Sequence, residues 1–588
     1  MAPRLRKALL YGRTLRHLTP PQIYWRLRYR LWPRRARRYH APQPLPAPDT
    51  EARDGLRAFA AHWRGAAPSD AALADAFLLG RFTFLNKTVK SSNPRWSGLD
   101  VAKLWLYHLH YFDYARDIAL CDPDPAGAGA AQVRAWMLDW IEKNADHTDP
   151  AWDAFPLSVR LINWSLVLAV YGWDDFQLRE SMHLQLDYLR HHLERDLAGN
   201  HLLKNAVALT VAGTLLNSAH LDAGLALLQE EVRAQILPDG GHVERSPMYH
   251  GQVLLDLLLA VAVSRPRPDW LAEAAERAIA FLHGVTHGDG LAAQFNDGAA
   301  EEGPSPAAVL ALSRLYCPGI APPAASMACP DSGLYRLAPG GDAGVLIAKA
   351  GKSTLDRQPG HAHSDLLSFE YSLGAQRIFV NAGTHGYAGS GYRDYCRSTA
   401  AHNTLRINGG EQLEHWSTFR VARRIHGAVT SWEPERPALC AAYRTLHGPP
   451  HERAFAWDPR GWWRIVDTIT GRGPLAVERF LHLHPNCAAA ALPPCGDCAR
   501  YGITYGGQTL TLLVAGAGSI ALARGQEAPP QGWYFPRFGE AVAATALVME
   551  TDGRDMLRLG YALIPGAADP ACAAADLTHA LTETPGNA

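Results

Sequence analysis

The first 40 residues contain no acidic side chain, and nowhere does the sequence hold an unbroken apolar run of the ~18 residues that a membrane-spanning helix needs. The start of the chain lacks the continuous apolar core of a secretory signal, so we expect no export signal there. The nine cysteines are odd in number and scattered, which argues against a disulfide framework. Cys495 and Cys498 form a lone C-x-x-C motif with no second pair at zinc-finger spacing.

The composition is globular: 588 residues, 47% of them hydrophobic and 19% charged, are enough for roughly two to four domains. The charge is uneven, because the first 40 residues carry 12 lysines and arginines, whereas the other 548 carry 45 basic and 57 acidic side chains. Tyr24, Trp25 and Tyr29 alternate with these arginines. This pattern is suited to binding an anionic surface, either lipid headgroups or an acidic glycan. The alternative is that the arginines form a solvated face and the aromatic residues anchor the arm to the protein. We expect a soluble protein with no nucleic-acid partner and with peripheral membrane contact through the arm.

The first half of the chain after the arm is predicted to be helical. Apolar residues recur at three- and four-residue spacing in segments 133–141, 159–170, 184–193 and 202–216, with turn residues between them. Many consecutive helical hairpins in about 250 residues favour helices packed around a common axis, as in an α/α toroid. The predicted domains are an N-terminal arm (1–50), a toroid (51–315) and a linker rich in proline and alanine (316–333).

The second half, residues 334–588, is predicted to be a large antiparallel β-sandwich. Its short segments are rich in β-branched and aromatic residues and are separated by Gly, Pro and Asp. One hairpin is visible directly, with strands at 453–457 and 462–467 around a turn at 458–461. The fold class is therefore multidomain α+β, with an α/α toroid followed by a β-sandwich.

Three segments carry residues suited to chemistry. In the first, residues 199–205, Asn200 and His201 lie at the start of a predicted helix, from which polar side chains can reach a ligand. The alternative for Asn200 is an ordinary N-cap. In the second, Ser246 is a predicted N-cap and Pro247 the first helical residue, so Tyr249 falls in the first turn. There the helix dipole would help a phenol to lose its proton, unless Tyr249 is simply a packing residue.

The third segment is the histidine-rich block of the β region. His361 and His363 alternate on one face of an extended segment, and Asn381 and His402 follow in neighbouring segments. Two imidazoles from one strand with a third from a neighbour are compatible with a zinc site or with a catalytic cluster. The spacing alone does not choose between them.

Together these segments resemble the heparinase II/III family of polysaccharide lyases, which join an N-terminal α/α toroid to a C-terminal β-sandwich. The resemblance covers most of the chain, and its start is most similar to relatives associated with capsular or other exopolysaccharides. It extends over residues 15–32, 105–111, 152–164, Asn200 with His201, 244–250, the turn at 295–298 and the block 361–404.

The resemblance implies β-elimination on a uronic acid. Removal of the weakly acidic C5 proton builds negative charge on the adjacent carboxyl group, so neutral or cationic donors are needed there. The resemblance assigns Asn200 and His201 to the carboxyl group. It assigns Tyr249 to the C5 proton, the leaving oxygen or both, and His361 as the alternative base.

The resemblance also implies one structural zinc ion, held by His363 and His402, and no organic cofactor. A carboxylate is expected as the third ligand, but this sequence has Asn381 at that position. A neutral amide is a poorer zinc ligand than a carboxylate, so the metal site is in doubt.

Five further residues are predicted to bind the substrate, because arginine pairs with carboxylates and aromatic faces stack on sugars. Core packing is the alternative for the side chains at helical spacing. The predicted residues are Arg160, His110, Tyr111, Glu244 and Arg245.

The sequence therefore predicts a lyase that acts on an acidic bacterial polysaccharide. One alternative is a glycoside hydrolase on the toroid scaffold, with Asp153, Glu244 and Asp297 as candidate acids. The other is a non-catalytic glycan-binding or capsule assembly factor, favoured by Asn381 and by the missing export signal. By sequence the protein would be cytoplasmic, whereas the resemblance favours the periplasm or cell envelope.

Overall fold

The computed structural model describes residues 3–31, 39–67, 70–91, 94–148, 150–389, 391–446 and 448–582. These described residues form sixteen α-helices, most of them in the first half of the chain. The helices are α1 (Pro3–Leu15), α2 (Pro20–Leu31), α3 (Thr50–Ala66), α4 (Ala71–Leu78), α5 (Lys103–Tyr111), α6 (Asp113–Cys121), α7 (Ala128–Lys143), α8 (Ala154–Tyr171), α9 (Phe176–His191), α10 (Gly199–Leu215), α11 (Leu221–Gln235), α12 (Pro247–Val263), α13 (Asp269–Gly284), α14 (Pro306–Ser313), α15 (Gly391–Arg397) and α16 (Pro570–Thr582).

Strands dominate the second half, and the same described residues form twenty-three of them. They are β1 (Arg81–Phe84), β2 (Lys87–Lys90), β3 (Met327–Cys329), β4 (Leu334–Leu337), β5 (Val345–Lys349), β6 (Phe369–Leu373), β7 (Gln376–Phe379), β8 (Leu405–Ile407), β9 (His415–Ser417), β10 (Arg420–Val421), β11 (Gly427–Glu433), β12 (Ala438–Arg444), β13 (Pro450–Asp458), β14 (Trp462–His482), β15 (Ala488–Cys495), β16 (Cys498–Tyr505), β17 (Gln508–Ala515), β18 (Ser519–Arg524), β19 (Gln526–Glu527), β20 (Pro530–Gln531), β21 (Trp533–Tyr534), β22 (Val542–Ala543) and β23 (Thr545–Pro565).

The helical half is an α/α toroid whose central helices are apolar on all sides. Helices α8, α10 and α12 are buried over most of their length, which is the pattern of core helices rather than surface helices. By length and composition α8 could cross a membrane, but 83% of it is buried inside the protein. The predicted helical segments all lie within helices α7 to α10, give or take a residue or two at their ends.

The second half is a sandwich of two antiparallel sheets. A five-stranded sheet has the order β3-β4-β5-β6-β7, and the path through a ten-stranded sheet runs β11-β12-β13-β14-β23-β17-β16-β15. Between the sheets lies an apolar core that includes Phe369, Phe455 and Leu563. The predicted hairpin is confirmed, since Asp458 pairs with Trp462 across the turn. Helix α16 was not predicted, and its Leu577 packs beside Trp462 in a separate apolar cluster.

The two domains share one continuous core. Cys329, Leu334 and Ile347, from the first strands of the sandwich, belong to the same buried apolar cluster as the toroid helices. The last toroid helix ends at Ser313, and β3 begins at Met327, inside the segment predicted to be a linker. Because the domains are packed core to core, residues of the toroid and of the sandwich are held at defined separations.

The N-terminal arm is folded, since its residues form helices α1 and α2. Arg13 of α1 makes an ion pair of 2.9 Å with Glu414 of the sandwich. Tyr29 of α2 donates a hydrogen bond of 2.6 Å to the Leu193 carbonyl of the toroid. The arm therefore bridges the two domains. Trp32 and the arginines between residues 34 and 38 lie outside the described residues.

Candidate active site

Helix α10 begins with a backbone turn that only glycine tolerates. Gly199 has a φ of +59°, and a Cβ built on it would lie 2.3 Å from Oε1 of Glu244. The backbone N–H of Asn200 donates to that same oxygen at 3.2 Å, so the Glu244 carboxylate caps the positive end of the helix. Among the described residues, Oδ1 of Asn200 is buried without a hydrogen-bond partner.

Helix α12 begins as the sequence predicts. Ser246 is the N-cap, with its Oγ accepting a hydrogen bond of 3.2 Å from the backbone N–H of Tyr249, and Pro247 is the first helical residue. The Tyr249 hydroxyl forms a short hydrogen bond with the Tyr387 hydroxyl. Burial, with the Asp297 carboxylate adding to it, raises the pKa of Tyr249. The expectation that the helix start lowers this pKa is therefore wrong, because burial and nearby negative charge outweigh the dipole.

His361 reaches this site from the loop that precedes β6. Its ring lies on the ring of Tyr249 with centroids 4.4 Å apart, and its Nδ1 is 2.8 Å from Oδ2 of Asp297. Its Nε2 lies 3.9 Å from Oε2 of Glu244, the same carboxylate that caps α10. Glu244 thus lies between His361 and Asn200, which brings the three sequence-predicted segments together in one cluster.

Asp297 is the centre of the polar network on the sandwich side. Its carboxylate binds the guanidinium of Arg393 and lies 2.8 Å from Nε2 of His363 as well as from His361. Burial by itself would raise the pKa of this carboxyl, but Arg393 and the two histidines outweigh burial and hold the pKa well below its usual range. Asp297 therefore stays ionised and orients the His361 ring.

His201 lies beside Asn200 and is paired with a carboxylate. Its Nδ1 is 2.9 Å from Oε1 of Glu194, and its ring stacks on Phe155 at 4.4 Å. Burial opposes the charged form of His201, but Glu194 outweighs burial and raises the pKa of the imidazole. Tyr111 contacts the same phenylalanine, with its ring centroid 6.0 Å from that of Phe155.

Three residues predicted to bind substrate lie elsewhere. Arg160 is fully buried in the toroid, stacked 3.8 Å from Trp140 and bonded to the Ala151 carbonyl at 2.9 Å. His110 is also fully buried, accepts a hydrogen bond from Trp140 and has its pKa lowered to about 3 by burial. Both side chains support helix packing, so their helical spacing reflects core positions rather than a cleft wall.

Arg245 is the third such residue. It is 4% exposed, and its guanidinium donates to the carbonyls of Val243 and Asp331. These backbone contacts fix the loop that carries Glu244. Of the five predicted substrate-binding residues, Glu244 and Tyr111 are the two that adjoin the cluster.

The predicted metal ligands are neighbours. The rings of His363 and His402 have centroids 5.4 Å apart, and Nδ1 of His402 lies 3.0 Å from Oδ1 of Asn381. Nδ1 of His363 is buried without a hydrogen-bond partner among the described residues. Burial holds the pKa of His402 well below its usual range, so its ring is neutral. Its Nε2–H donates to the Cys396 carbonyl, which leaves the lone pair of Nδ1 directed toward Asn381.

Nδ1 of His363 and Nδ1 of His402 therefore carry lone pairs that face no hydrogen-bond donor among the described residues. Oδ1 of Asn381, beside His402, accepts a hydrogen bond of 2.7 Å from the Ser368 hydroxyl. This donor set fits a cation, and two imidazoles with an oxygen suit zinc. The acids nearby are already engaged, since Asp365 pairs with Lys349 and Glu370 with Arg377. The amide oxygen is thus the third ligand available, which makes the site weaker than one with a carboxylate.

Sequence reasoning missed three residues of the cluster. Tyr387 follows the Asn381 motif by six positions, and an aromatic residue so close to a predicted site was a usable signal. Arg393 lies on the short helix α15, and Glu194 precedes α10 by a loop. No local pattern marks either of these, because each reaches its partner through the tertiary fold.

Comparison with known proteins agrees with this architecture. The family described as Heparinase II/III N-terminus matches residues 108–304, and the family described as Heparinase II/III-like, C-terminal, matches residues 321–569. A mutant of heparan sulfate lyase HepC from Pedobacter heparinus has the same fold, with a TM-score of 0.61, 18% sequence identity and 87% of each chain covered.

Two curated relatives are similar in sequence. FtsZ-localized protein C from Caulobacter vibrioides is 27% identical over 321 residues, which are 53% of this chain and 54% of that protein. A heparin-sulfate lyase from Bacteroides stercoris is 24% identical over 304 residues, which are 46% of this chain and 44% of that protein. The chain thus spans about half the length of the curated relatives it matches. Both domains match in order, and the chain belongs to the heparinase II/III family.

Proposed function

We propose that this protein is a polysaccharide lyase that cleaves an acidic, uronic acid-containing polysaccharide by β-elimination. The observation that carries the proposal is the contact of Tyr249 with His361, whose ring centroids are 4.4 Å apart, beside the start of α10. The Glu244 carboxylate joins the two, since it is 3.9 Å from Nε2 of His361 and accepts the Asn200 N–H at 3.2 Å. Such a set of neutral and cationic groups suits a substrate carboxylate that gains charge in the transition state. The names of lyase relatives add support.

In the proposed reaction, Asn200 and His201 bind the uronic acid carboxyl group. Glu194 raises the pKa of His201, which favours the cationic form that pairs with a carboxylate. When C5 loses its proton, negative charge spreads onto this carboxyl group. Donors already placed there stabilise that charge without reorganisation, which lowers the barrier to proton removal.

His361 is the proposed base and Tyr249 the proposed acid. Nδ1 of His361 is bonded to Asp297, so its Nε2 is the atom that accepts the C5 proton. The C5–H electron pair forms the C4–C5 double bond, and the C4–O4 bond breaks. Tyr249, whose pKa is raised and whose hydroxyl is therefore protonated, gives its proton to O4. The adjacent His361 imidazolium then returns a proton to the Tyr249 phenolate.

Phe419 offers a stacking surface for a sugar beside these groups. It is 46% exposed, and its ring centroid is 5.1 Å from that of Tyr387 and 6.3 Å from that of His361. An exposed aromatic face beside acid–base groups is suited to a sugar ring. A zinc ion held by His363, His402 and Asn381 would brace the histidine-bearing segment, with its charge stabilising the fold rather than acting on the substrate.

Two of the three candidate acids of the hydrolase alternative, Asp297 and Asp153, are engaged in ion pairs. A glycosidase needs one carboxyl group that is protonated at working pH, whereas Arg393 and two histidines keep Asp297 ionised. Asp153 is bonded to Tyr107 and paired with Lys103. The second candidate is a non-catalytic role as a glycan-binding or capsule assembly factor. One relative is named for localisation with FtsZ rather than for an activity, which favours a non-catalytic role.

The decisive experiment follows ultraviolet absorbance while purified protein is incubated with uronic acid polysaccharides. The panel includes heparan sulfate, alginate and surface polymer from the producing strain. A lyase generates an unsaturated uronyl product whose absorbance grows with time, and Tyr249→Phe should abolish that growth. New reducing ends without the absorbance would indicate hydrolysis. Binding to the polymer without either signal would favour the assembly role.

A further inference from the structure

Exposed apolar side chains are concentrated on the N-terminal helices. Of the seventeen large hydrophobic side chains that are exposed in the described parts of the chain, eight lie between residues 5 and 31. They are Leu5, Leu9, Tyr11, Leu15, Ile23, Tyr24, Leu27 and Leu31. Isolated exposed leucines need no explanation, but so many on two adjacent helices mark an interaction surface.

Helix α2 has two distinct faces. Gln22, Trp25 and Tyr29 face the protein: Gln22 donates to the Arg357 carbonyl at 3.3 Å, Trp25 lies under Arg195, and Tyr29 donates to Leu193. This docked face is largely polar in its contacts. A surface helix ordinarily buries its apolar side chains and exposes its polar ones.

The outward face of α2 instead exposes apolar side chains to solvent. Ile23, Leu27 and Leu31 follow one another at four-residue spacing, so they form a single stripe, and they are 43%, 51% and 61% exposed. Arg26 and Arg30 are exposed on the same helix. No acidic residue occurs in the first 40 residues, so every charged side chain of α1 and α2 is basic.

We propose that α1 and α2 form an interfacial anchor that binds an anionic lipid bilayer. An outward apolar stripe with flanking arginines matches the boundary between acyl chains and anionic headgroups, where the leucines are buried and the arginines remain at the phosphates. An acidic glycan would satisfy the arginines but would leave the leucine stripe in water. The lipid surface is therefore the partner that accounts for both features.

The anchor also contacts two segments that lead to the candidate active site. Tyr29 binds the carbonyl of Leu193, the residue before Glu194, and Gln22 binds the carbonyl of Arg357 in the loop that leads to His361. Docking of α2 on a bilayer would therefore hold the mouth of the cleft close to the lipid surface. The lipid-binding proposal does not depend on the proposed lyase activity.

Vesicle flotation with the full-length protein tests the anchor. The parent should float with vesicles of phosphatidylcholine and phosphatidylglycerol and much less with phosphatidylcholine alone. The triple variant Ile23→Ser, Leu27→Ser, Leu31→Ser leaves the docked face intact and should lower binding by ~10-fold or more, given the apolar area removed. The control, Leu79→Ser with Phe176→Ser, removes two apolar side chains that are 71% and 51% exposed elsewhere on the protein and should bind like the parent.

Three results would overturn the proposal. One is absence of flotation of the parent with anionic vesicles at low salt. Another is equal binding by the parent and the triple variant, particularly if Arg26→Gln with Arg30→Gln abolishes binding to soluble heparin, because the surface would then be a glycan site. The third is a concentration-dependent dimer that the triple variant loses, since a second copy of the chain would then cover the stripe. Circular dichroism verifies that each variant is folded.

Discussion

Tyr249 and His361 lie in ring contact, with centroids 4.4 Å apart, although Tyr249 belongs to helix α12 of the toroid and His361 to a loop of the sandwich. Their contact exists because the two domains share one core, to which Leu334 and Ile347 of the sandwich contribute. The proposed acid and base are therefore assembled by the domain interface. A change that loosens this interface should impair chemistry before it unfolds either domain.

Removing the Tyr249 hydroxyl should stop turnover. Tyr249→Phe keeps the ring that packs on His361 but removes the proton donor, so we expect kcat to fall by about 100- to 10,000-fold with little change in substrate affinity. Steady-state kinetics and equilibrium binding of the same polysaccharide measure the two effects. Tyr335→Phe, distant in the sandwich, is the matched control. Retention of parental kcat in Tyr249→Phe would exclude the proposed acid.

A negative charge at position 200 should be worse than a missing side chain. Asn200→Ala removes a donor from the carboxyl group of the substrate, which should cost about 100- to 1,000-fold in kcat. Asn200→Asp adds a carboxylate that repels the developing charge, so its loss should exceed that of Asn200→Ala. Comparison of kcat for the two variants is the test. If Asn200→Asp is the more active of the two, the assignment of Asn200 to the carboxyl group is wrong.

The pairing of Glu194 with His201 should set the alkaline limit of activity. Glu194 raises the pKa of His201, so the cationic imidazole persists to higher pH and is lost as pH rises through that raised pKa. The ion pair stabilises the folded protein fully at pH values below ~6.5, the ordinary pKa of histidine. This stabilisation is lost as the pH rises through the raised pKa of His201. Glu194→Gln should shift the alkaline limb of the kcat/KM profile to lower pH. Glu230→Gln, at an exposed site, should leave the profile unchanged.

Restoring a carboxylate at position 381 should strengthen zinc binding. In the parent, zinc should raise the melting temperature modestly, because an amide oxygen is a weak third ligand. Asn381→Asp should be less stable than the parent in chelator and should gain more from zinc. A ligand at 100 times its Kd stabilises a protein by about 2.7 kcal/mol. His363→Gln should lose the zinc effect in either background. Identical melting curves with zinc and with chelator in all variants would exclude the metal site.

Buried neutral histidines should make the protein sensitive to acid. Burial lowers the pKa of His110 to about 3. As the pH falls, His110 is therefore protonated near pH ~6.5 in the unfolded chain but stays neutral in the folded protein. The stabilisation is complete above 6.5 and is lost as pH falls toward 3, at ~1.4 kcal/mol per pH unit. His110→Asn, which keeps an acceptor for Trp140, should reduce that slope of the unfolding free energy by about this amount. The control is His40→Asn, at an exposed position.

Local sequence determined the elements and several of the site residues. The helical spacing predicted helices such as α8 and α10, the alternation predicted the sandwich, and Ser246 with Pro247 marked the start of α12 correctly. These features depend on neighbours within a few residues. Periodicity and capping are local, so one sequence suffices to read them.

The environment of each side chain was decided by the tertiary structure. Arg160 and His110 were predicted to bind the substrate but are buried in the toroid core, because helix packing decides which face points inward. The raised pKa of Tyr249 depends on burial and on Asp297, 48 positions away in the chain. The partners Tyr387, Arg393 and Glu194 are joined to the site only when the chain is folded.

In the N-terminal arm, too, the sequence determined the chemical groups and the tertiary structure determined their environment. Its charge and its aromatic residues were visible in the sequence, and they predicted an anionic surface as partner. Only the fold showed that Gln22 and Tyr29 dock on the domains while Ile23, Leu27 and Leu31 face outward. The sequence by itself determined the helical and strand-rich halves and the chemical groups that they carry, although α16 was not predicted. Which groups meet, and which face solvent, depended on long-range packing, since burial and electrostatic coupling arise from residues distant in the chain.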